Sequence, residues 1–526
     1  MGGSRRILLD WQKDGHKLPR KYMDKVIQAI RDNDLEAYKA LEANAYNTIK
    51  GPYQLWALTL ATIVDQLNRR NDYDTDRSVI LRESLRICPD SIKQYNSKEI
   101  SGWSSEHPIC FLARLSRPKE LSGLATKYVN VMIDGGFNYD DVIYYSCVPE
   151  LIPMLVLRGI DPNKLNEKGE SPYISNLNIY GSYSDSPKWL KEILKYTNPN
   201  LKVAPSELGL LPGQTIPTIV AACLMINQHD TLTINGLHEK HIETLLKAGA
   251  DPNAEISETY RQGYYAKGAT ALHYSIYPNL TKLLIDNGAD VNKQDCNGGT
   301  PLMKSLENAG EDQRWDHKAR GQKNFEVLLK SGADSSIKTN SGETVLHKAA
   351  KSSNIELVLP YLEEMLDAGL DVNAQDDCGA TCMHYISGPG CAKICRKLME
   401  HGAELNIQDN YGDTPMHCIS APDAVEACLS MGADPNIRNH VGMTPLLNFF
   451  FRWGRDKTVM LDTNFPEEII NIYGKYGADL LAKDNNGKTL IDYIRVKKAR
   501  EKISMLVHHI EDQRKTMDED IDTFVR

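Results

Sequence analysis

The sequence predicts an all-α repeat solenoid of roughly twelve helix-pair units, and three observations carry that expectation. Two short phrases recur, one reading Gly-x-Thr-(Pro)-Leu-His and the other Gly-Ala-Asp-x-Asn. The threonines of the first, at 270, 300, 344, 381, 414, 444 and 489, are spaced 30, 44, 37, 33, 30 and 45 residues apart, a period near 33 with insertions. Composition is that of a folded chain: 526 residues, 41% hydrophobic and 25% charged, against an average globular usage of about 45–50% apolar. A fixed period of this size marks stacked units, none of which can bury its own apolar face.

The first phrase stands at Gly268–His273, Gly298–Leu302, Gly342–His347, Gly379–His384, Gly412–His417, Gly442–Leu446 and, shortened, Gly487–Leu490. The second stands at Gly249–Asn253, Gly288–Asn292, Gly369–Asn373, Gly402–Asn406 and Gly432–Asn436. Looser copies lie at Gly159–Asn163, Gly332–Ser336 and Gly477–Leu481. Period and phrase together resemble the ankyrin repeat, whose signature is a unit of about 33 residues with T-P-L-H-x-A. The resemblance runs from Gly159 onward and rests on many copies. It implies helix-turn-helix units joined by β-hairpin fingers, a Thr–His hydrogen bond in each turn, and a role in binding another protein.

One unit shows the logic. Thr414 stands where a helix N-cap is wanted, and Pro415 follows at the first helical position, where a missing N–H costs nothing. A short helix to about Ile419, a turn at Ala421-Pro422 and a second helix over Ala424–Met431 follow, with Val425, Cys428 and Leu429 on the buried face. Gly432 ends that helix, and 434–441 forms the finger. Upstream, Tyr22–Ile30 and Leu35–Leu41 form an amphipathic pair read as an N-terminal cap. Leu55–Leu67 with Arg77–Ile87 make another pair. His107-Pro108-Ile109-Cys110 stands in the Thr-Pro-Leu-His slot before a helix over Tyr128–Gly136. The expected organisation is a divergent helical region over 1–158, the array over 159–486, and a capping helix with an acidic tail over 487–526.

Several function classes fall away. The net charge of −9 argues against bulk attraction to nucleic acid. The longest apolar stretch, Ile219–Ile226, is far short of the roughly 20 residues a membrane helix needs. Eleven cysteines are too sparse and too odd in number for a disulfide scaffold, which points to a reducing, cytoplasmic setting. The first residues lack a signal-peptide apolar core, and Arg6 stands where myristoylation wants Ser or Thr. A monomer is expected, with no cofactor. The group Cys378, Cys382, His384, Cys391 and Cys395 invites a zinc reading. The repeat register assigns His384 to the turn and spreads the cysteines over two helices, so core packing is expected. His273, His347, His384 and His417 share one slot and are structural before they are catalytic.

Insertions are more informative than consensus. The finger over 254–267 carries nine residues more than the finger between Asn292 and Gly298, and it is rich in tyrosine. Tyr260, Arg261, Tyr264, Tyr265 and Lys267 are therefore the candidate partner-binding residues, because Tyr and Arg are enriched at interface hot spots. Equally weighted is a reading in which the tyrosines pack on neighbouring fingers. Two further insertions, 308–322 and 451–464, place Trp315 and Trp453 among cations between the helices of a unit. Either each tryptophan docks a partner or it tucks against its own helices.

The expected function is a scaffold that binds a partner protein through fingers and concave face. Such irregular, insertion-rich arrays resemble effectors of intracellular bacteria and large DNA viruses acting on host proteins, and the end, Met517–Arg526, looks like a secretion signal or a frayed tail. A eukaryotic cytosolic adaptor is one alternative. Another is an enzyme with catalysis in the N-terminal third, for instance Cys110 or Cys147 with His107, and the repeats as docking arm.

Overall fold

A computed structural model describes residues 20–45, 59, 62–63, 77–86, 119–136, 139–146, 148–180, 186–210, 214–228, 237–260, 264–308, 315–352, 354–386, 390–453, 465–494 and 497–525. The chain divides into two compact units, Met1–Ala254 and Glu255–Arg526. The division falls inside the stretch expected as one array over 159–486.

In the C-terminal unit each repeat starts at the threonine of the first phrase. Thr270, Thr344, Thr381 and Thr414 have extended backbone, and each forms a reciprocal capping box with the histidine three residues on. The histidine replaces the usual Glu or Gln of such a box. The backbone N–H of Thr414 donates to His417 Nδ1 at 3.0 Å, so Nδ1 must be unprotonated. The proton therefore sits on Nε2, which donates to the carbonyl of Met443 in the following repeat at 3.0 Å. The same bridges run from His273 to Gly299, His347 to Ala380 and His384 to Asp413, at 3.3, 3.0 and 3.0 Å. One neutral imidazole thus closes its own turn and ties two repeats together.

The helices follow as pairs: Ala271–Tyr274 with Pro278–Asp286, Pro301–Asn308 with Trp315–Lys330, and Val345–Lys351 with Ile355–Val358 and Leu362–Asp367. Then come the Cys382–Tyr385 turn with Cys391–Glu400, Pro415–Cys418 with Pro422–Ser430, Pro445–Trp453 with Phe465–Lys475, and Leu490–Tyr493 with Lys497–Val525. First helices pack on first helices and second on second, giving two parallel rows. The core between them uses the Leu slot of the phrase: Leu272, Leu302, Leu346, Met383, Met416 and Leu446 are all buried. Each such side chain contributes about 1.5–3 kcal/mol by leaving water.

The second phrase proves to be two halves of an inter-repeat clamp. Asn373 donates from Nδ2 to the Gly402 carbonyl at 2.9 Å and accepts the Glu404 N–H at 2.8 Å. Asn436 holds Gly477 and Asp479 at 3.0 and 2.7 Å in the same way. Gly432, at φ +102°, lets the Pro422–Ser430 helix close with Ala433 N–H on the Cys428 carbonyl at 3.1 Å, a left-handed helix ending that L side chains resist.

Fingers were expected as β-hairpins, and most are tighter than that. In the Asp409 finger the Asp409 N–H meets the Asp413 carbonyl at 2.8 Å and the Gly412 N–H meets the Asp409 carbonyl at 2.9 Å, while Asp409 Oδ1 accepts from Tyr411 and Asp413. Among the described residues, the one strand ladder pairs Lys202–Val203 with Ile216–Pro217. An aspartate-locked turn is too short for a ladder.

The N-terminal unit repeats the helix-pair theme with other devices. Arg20–Arg31 and Leu35–Ala45 form the expected first pair, joined through Asn33 at φ +54°. Buried Arg77 reaches back to cap the first helix, with Nε on the Ile30 carbonyl at 2.8 Å and a terminal nitrogen on that of Arg31 at 3.0 Å. Ser78–Arg86 packs on Lys119–Asp134. Of the segment expected as a helix over Leu55–Leu67, positions 59, 62 and 63 are described. There Tyr38 shares a 2.8 Å hydrogen bond with Thr59. His107, Cys110 and Cys147 lie outside the described residues. Pro172–Tyr180 with Ser186–Ile193, and Thr218–Gln228 with Leu237–Lys247, complete the unit. At the other end the Lys497–Val525 helix runs on through the stretch expected as a tail. It docks through buried Ile503 and Val507 and through Arg514 on the Ala478 carbonyl at 2.8 Å.

The imidazole bridges make stability depend on pH. Burial above all holds His273 down to about 4 from an ordinary 6.5, and lowers His347, His384 and His417 as well. Unfolded imidazoles take protons from about pH 6.5, whereas the folded ones resist. Their stabilisation is therefore complete above that pH and declines as pH falls, for His273 until about 4 and by roughly 3 kcal/mol at most. Urea unfolding at stepped pH should show this decline. His273→Gln should make it shallower by that residue's share, and an unchanged slope would refute the bridge account.

Candidate protein-binding surface

The long finger is a true hairpin, and its interior is occupied by its own tyrosines. Ile256 and Ala269 pair through Ile256 N–H to the Ala269 carbonyl at 3.0 Å, and Tyr260 and Tyr265 exchange backbone hydrogen bonds at 2.9 and 3.2 Å. Tyr265 is 1% exposed and Tyr260 6%. Tyr265 lies edge-on to both Tyr264 and Tyr274, with ring centroids 5.0 and 6.2 Å apart. The Tyr274 hydroxyl accepts from the Ala266 N–H and donates to the Tyr264 carbonyl, each at 3.1 Å. The expectation that Tyr260 and Tyr265 anchor a partner is thereby corrected. Nine extra residues need an apolar filling of their own, and these two rings provide it. Tyr264, at 45%, and Lys267 remain exposed. Arg261 lies outside the described residues.

Trp315 and Trp453 are also placed differently from the expected loops. Trp315 opens the Trp315–Lys330 helix and Trp453 ends the Pro445–Trp453 helix, so both insertions begin or end as helix. Their side chains lie outside the described residues.

The fingertips join into a row by backbone hydrogen bonds from each finger to the one before. Cys296 N–H meets the Lys267 carbonyl at 2.7 Å, Asn340 meets Asn297 at 2.8 Å and Asp377 meets Ser341 at 3.0 Å. Asn410 then meets Cys378 at 2.8 Å, His440 meets Tyr411 at 3.0 Å and Asn485 meets Val441 at 3.1 Å. The residue just before each phrase glycine points to solvent from this row. It is Lys267, Asn297, Ser341, Cys378, Tyr411, Val441 and Asn486 in turn. Tyr411 is 70% exposed and Val441 53%, so two adjacent tips carry apolar groups where most carry polar ones. Sequence reasoning passed over this pair because it sits in unremarkable consensus fingers. The available signal was an apolar residue in a slot that is otherwise mostly polar.

Beside the row, the first helices carry a network of charge across three repeats. Lys348 bridges Glu307 and Glu343 at 3.5 and 2.8 Å, and Lys351 pairs with Glu343 and, at 3.4 Å, with Asp376. The Tyr385 hydroxyl donates to Asp376 at 2.7 Å, while the Lys351 ammonium sits 3.9 Å from the centre of the Tyr385 ring. Burial alone would raise the Glu343 carboxyl, yet the two lysines override it and hold it down to about 2. These groups satisfy one another, so they form a fixed polar wall.

The cysteine–histidine group serves the turn and the core. Both His384 nitrogens are engaged, on Thr381 and on the Asp413 carbonyl. Cys378 is exposed, while Cys382, Cys391 and Cys395 are buried, and burial raises the Cys382 thiol to about 12. Among the described residues no group of His, Cys, Asp or Glu could hold a metal ion, and no helix is long and apolar enough to cross a membrane.

Known proteins share this construction. A family model of ankyrin repeats in three copies matches residues 317–409 and 359–439, and a single-repeat model matches 267–296. Residues 267–296 and 317–439 are built of ankyrin repeats. The E3 ubiquitin-protein ligase KEG of Arabidopsis thaliana is 27% identical over 307 residues, 50% of this chain and 17% of that protein. An ankyrin repeat protein of Rickettsia bellii is 31% identical over 152 residues, 25% of this chain and 21% of that protein. The ANK repeat-containing protein nipk-1 of Caenorhabditis elegans is 30% identical over 132 residues, 24% and 20% respectively. The chain thus spans about a fifth of the length of these relatives, and ankyrin repeats go with protein–protein interaction.

The packing of the long finger sets a stability contrast. Tyr265→Ala empties a filled site and should cost about 3 kcal/mol, whereas Tyr264→Ala should stay within about 0.5 kcal/mol of the parent. Urea midpoints measure both. Equal midpoints would return the finger to the status of a free binding arm.

Proposed function

We propose that the chain is a scaffold that binds one partner protein across the fingertip row and the adjoining first helices of the C-terminal unit. The observation that carries this reading is the exposed Tyr411–Val441 pair, two apolar groups on neighbouring tips held in register by the backbone. Tyr264 and Lys267 extend the same row, and Trp315 and Trp453 are candidates for a second edge. An aromatic ring on a pre-ordered tip loses little entropy on binding, and such anchors dominate interface energetics. The charged wall of Glu343, Lys348, Lys351 and Asp376 flanks the row and favours a partner with matching polar groups.

The insertion-rich array and the similarity to a Rickettsia protein support an effector that meets a host protein in the cytoplasm. The similarities to KEG and nipk-1 support the second reading, an adaptor in a eukaryotic cytosol. No enzymatic step is part of either.

Affinity capture with the whole chain, followed by mass spectrometry, should identify a partner that the Tyr411→Ala, Val441→Asp double variant retains poorly. Truncating a central anchor typically costs about 2 kcal/mol, roughly 30-fold in Kd, and both sites are solvent-exposed, so the melting temperature should hold. Undiminished capture would move the site off the fingertips.

A further inference from the structure

The N-terminal unit contains a groove unlike the rest of this acidic chain. It lies between the Ser186–Ile193 and Leu237–Lys247 helices, with a volume of about 490 Å³ and a floor that includes Leu194, Thr244 and Ala248. Five lysines line it, Lys188, Lys191 and Lys195 from one side and Lys240 and Lys247 from the other, against a single carboxylate, Glu243. Each side uses the helical spacing that puts residues three, four and seven apart on one face. Lys195 is paired with Glu192 at 2.5 Å, and Lys247 with Glu243. Lys191 and Lys240 make no ion pair among the described residues.

Such an arrangement works against folding. Lysines three and four apart on one helix repel, and facing rows repel further, so stacking alone gives no reason for it. The small Ala248 and Thr244 leave the groove open where larger residues would have filled it. Its volume lies in the range of small-molecule sites, about 300–1,000 Å³, and is too confined to follow an extended polyanion. Lysine recognises phosphate as a point charge, and five lining one groove of this size match several phosphates held close together.

We propose that this groove binds a multiply phosphorylated small molecule or headgroup, with Lys191 and Lys240 as the principal phosphate contacts. The site is separate from the fingertip surface and independent of what binds there. Ligand binding would neutralise the lysine rows and so stabilise the N-terminal unit.

Calorimetric titration of the full chain with inositol hexakisphosphate tests this, beside sedimentation with vesicles containing phosphatidylinositol 4,5-bisphosphate. Binding of the soluble compound alone assigns a free ligand, and co-sedimentation assigns a lipid headgroup; either supports the site. The Lys191→Glu, Lys240→Glu variant should weaken binding at least ~10-fold, with an unaltered thermal melt. If that variant melts early, Lys191→Gln, Lys240→Gln replaces it, with a loss of at least ~3-fold expected. Absence of binding to both probes at about 1 mM, equal affinity in the variants, or binding of single-stranded DNA alone would overturn the proposal.

Discussion

In four repeats of the C-terminal unit the register hangs on a neutral imidazole with both nitrogens engaged. Nδ1 accepts from the threonine that starts the helix, and Nε2 donates to the backbone of the next repeat. The first bond fixes where a helix begins, and the second fixes how far its neighbour stands away. Once both are set, the leucine of the phrase has one place to go, between two rows of helices. Burial then supplies the stability, but the hydrogen bonds decide the geometry in which burial occurs.

The asparagine clamps and the fingertip bonds follow from that spacing. Asn373 and Asn436 hold the glycine carbonyl of the next repeat at junctions that an imidazole also bridges. The tips then meet through backbone bonds and the asparagines Asn340, Asn410 and Asn485, which leaves the residue before each phrase glycine pointing outward. Function can be written there without disturbing the stack. Tyr411 and Val441 occupy such positions, whereas the tyrosines of the long finger do not.

Much of this was legible in the residues. The threonine, histidine and glycine positions forecast helix starts and ends at Pro415 and Gly432, because caps depend on local chemistry. The Asn-to-Gly clamp was not legible, since its halves lie on different repeats and have meaning only once stacked. Asn200, which grips Gly249 and Asp251 at 3.0 and 2.7 Å, sits in Asn198-Pro199-Asn200, where the Gly-Ala of the phrase is missing and Asn replaces its Asp. The candidate site was read less well. Tyrosine enrichment marked the long finger correctly as unusual, but it cannot distinguish a ring that fills a hairpin from one that waits for a partner. That distinction depends on Tyr274, a residue of the following helix. The basic groove escaped notice for a similar reason, because its lysines come from two helices about fifty residues apart in sequence.

Two inner repeats lack the imidazole, with Met303 and Leu447 in its place, and there the threonine hydroxyl accepts a backbone N–H at 3.4 Å, while in the last repeat Asp492 takes its part in the capping box. The same two repeats carry the long insertions. The imidazole bridges therefore join Thr270 to its successor and run unbroken from Thr344 through Thr444, but skip the junctions in between and beyond. In a stack whose energy is a sum over neighbours, such junctions act as seams. Under load or thermal fluctuation the array should part along them, with the segment from Thr344 to Thr444 moving as one stiff block. Tyr411 and Val441 lie within that block, so the array can flex while the spacing of those two tips is preserved.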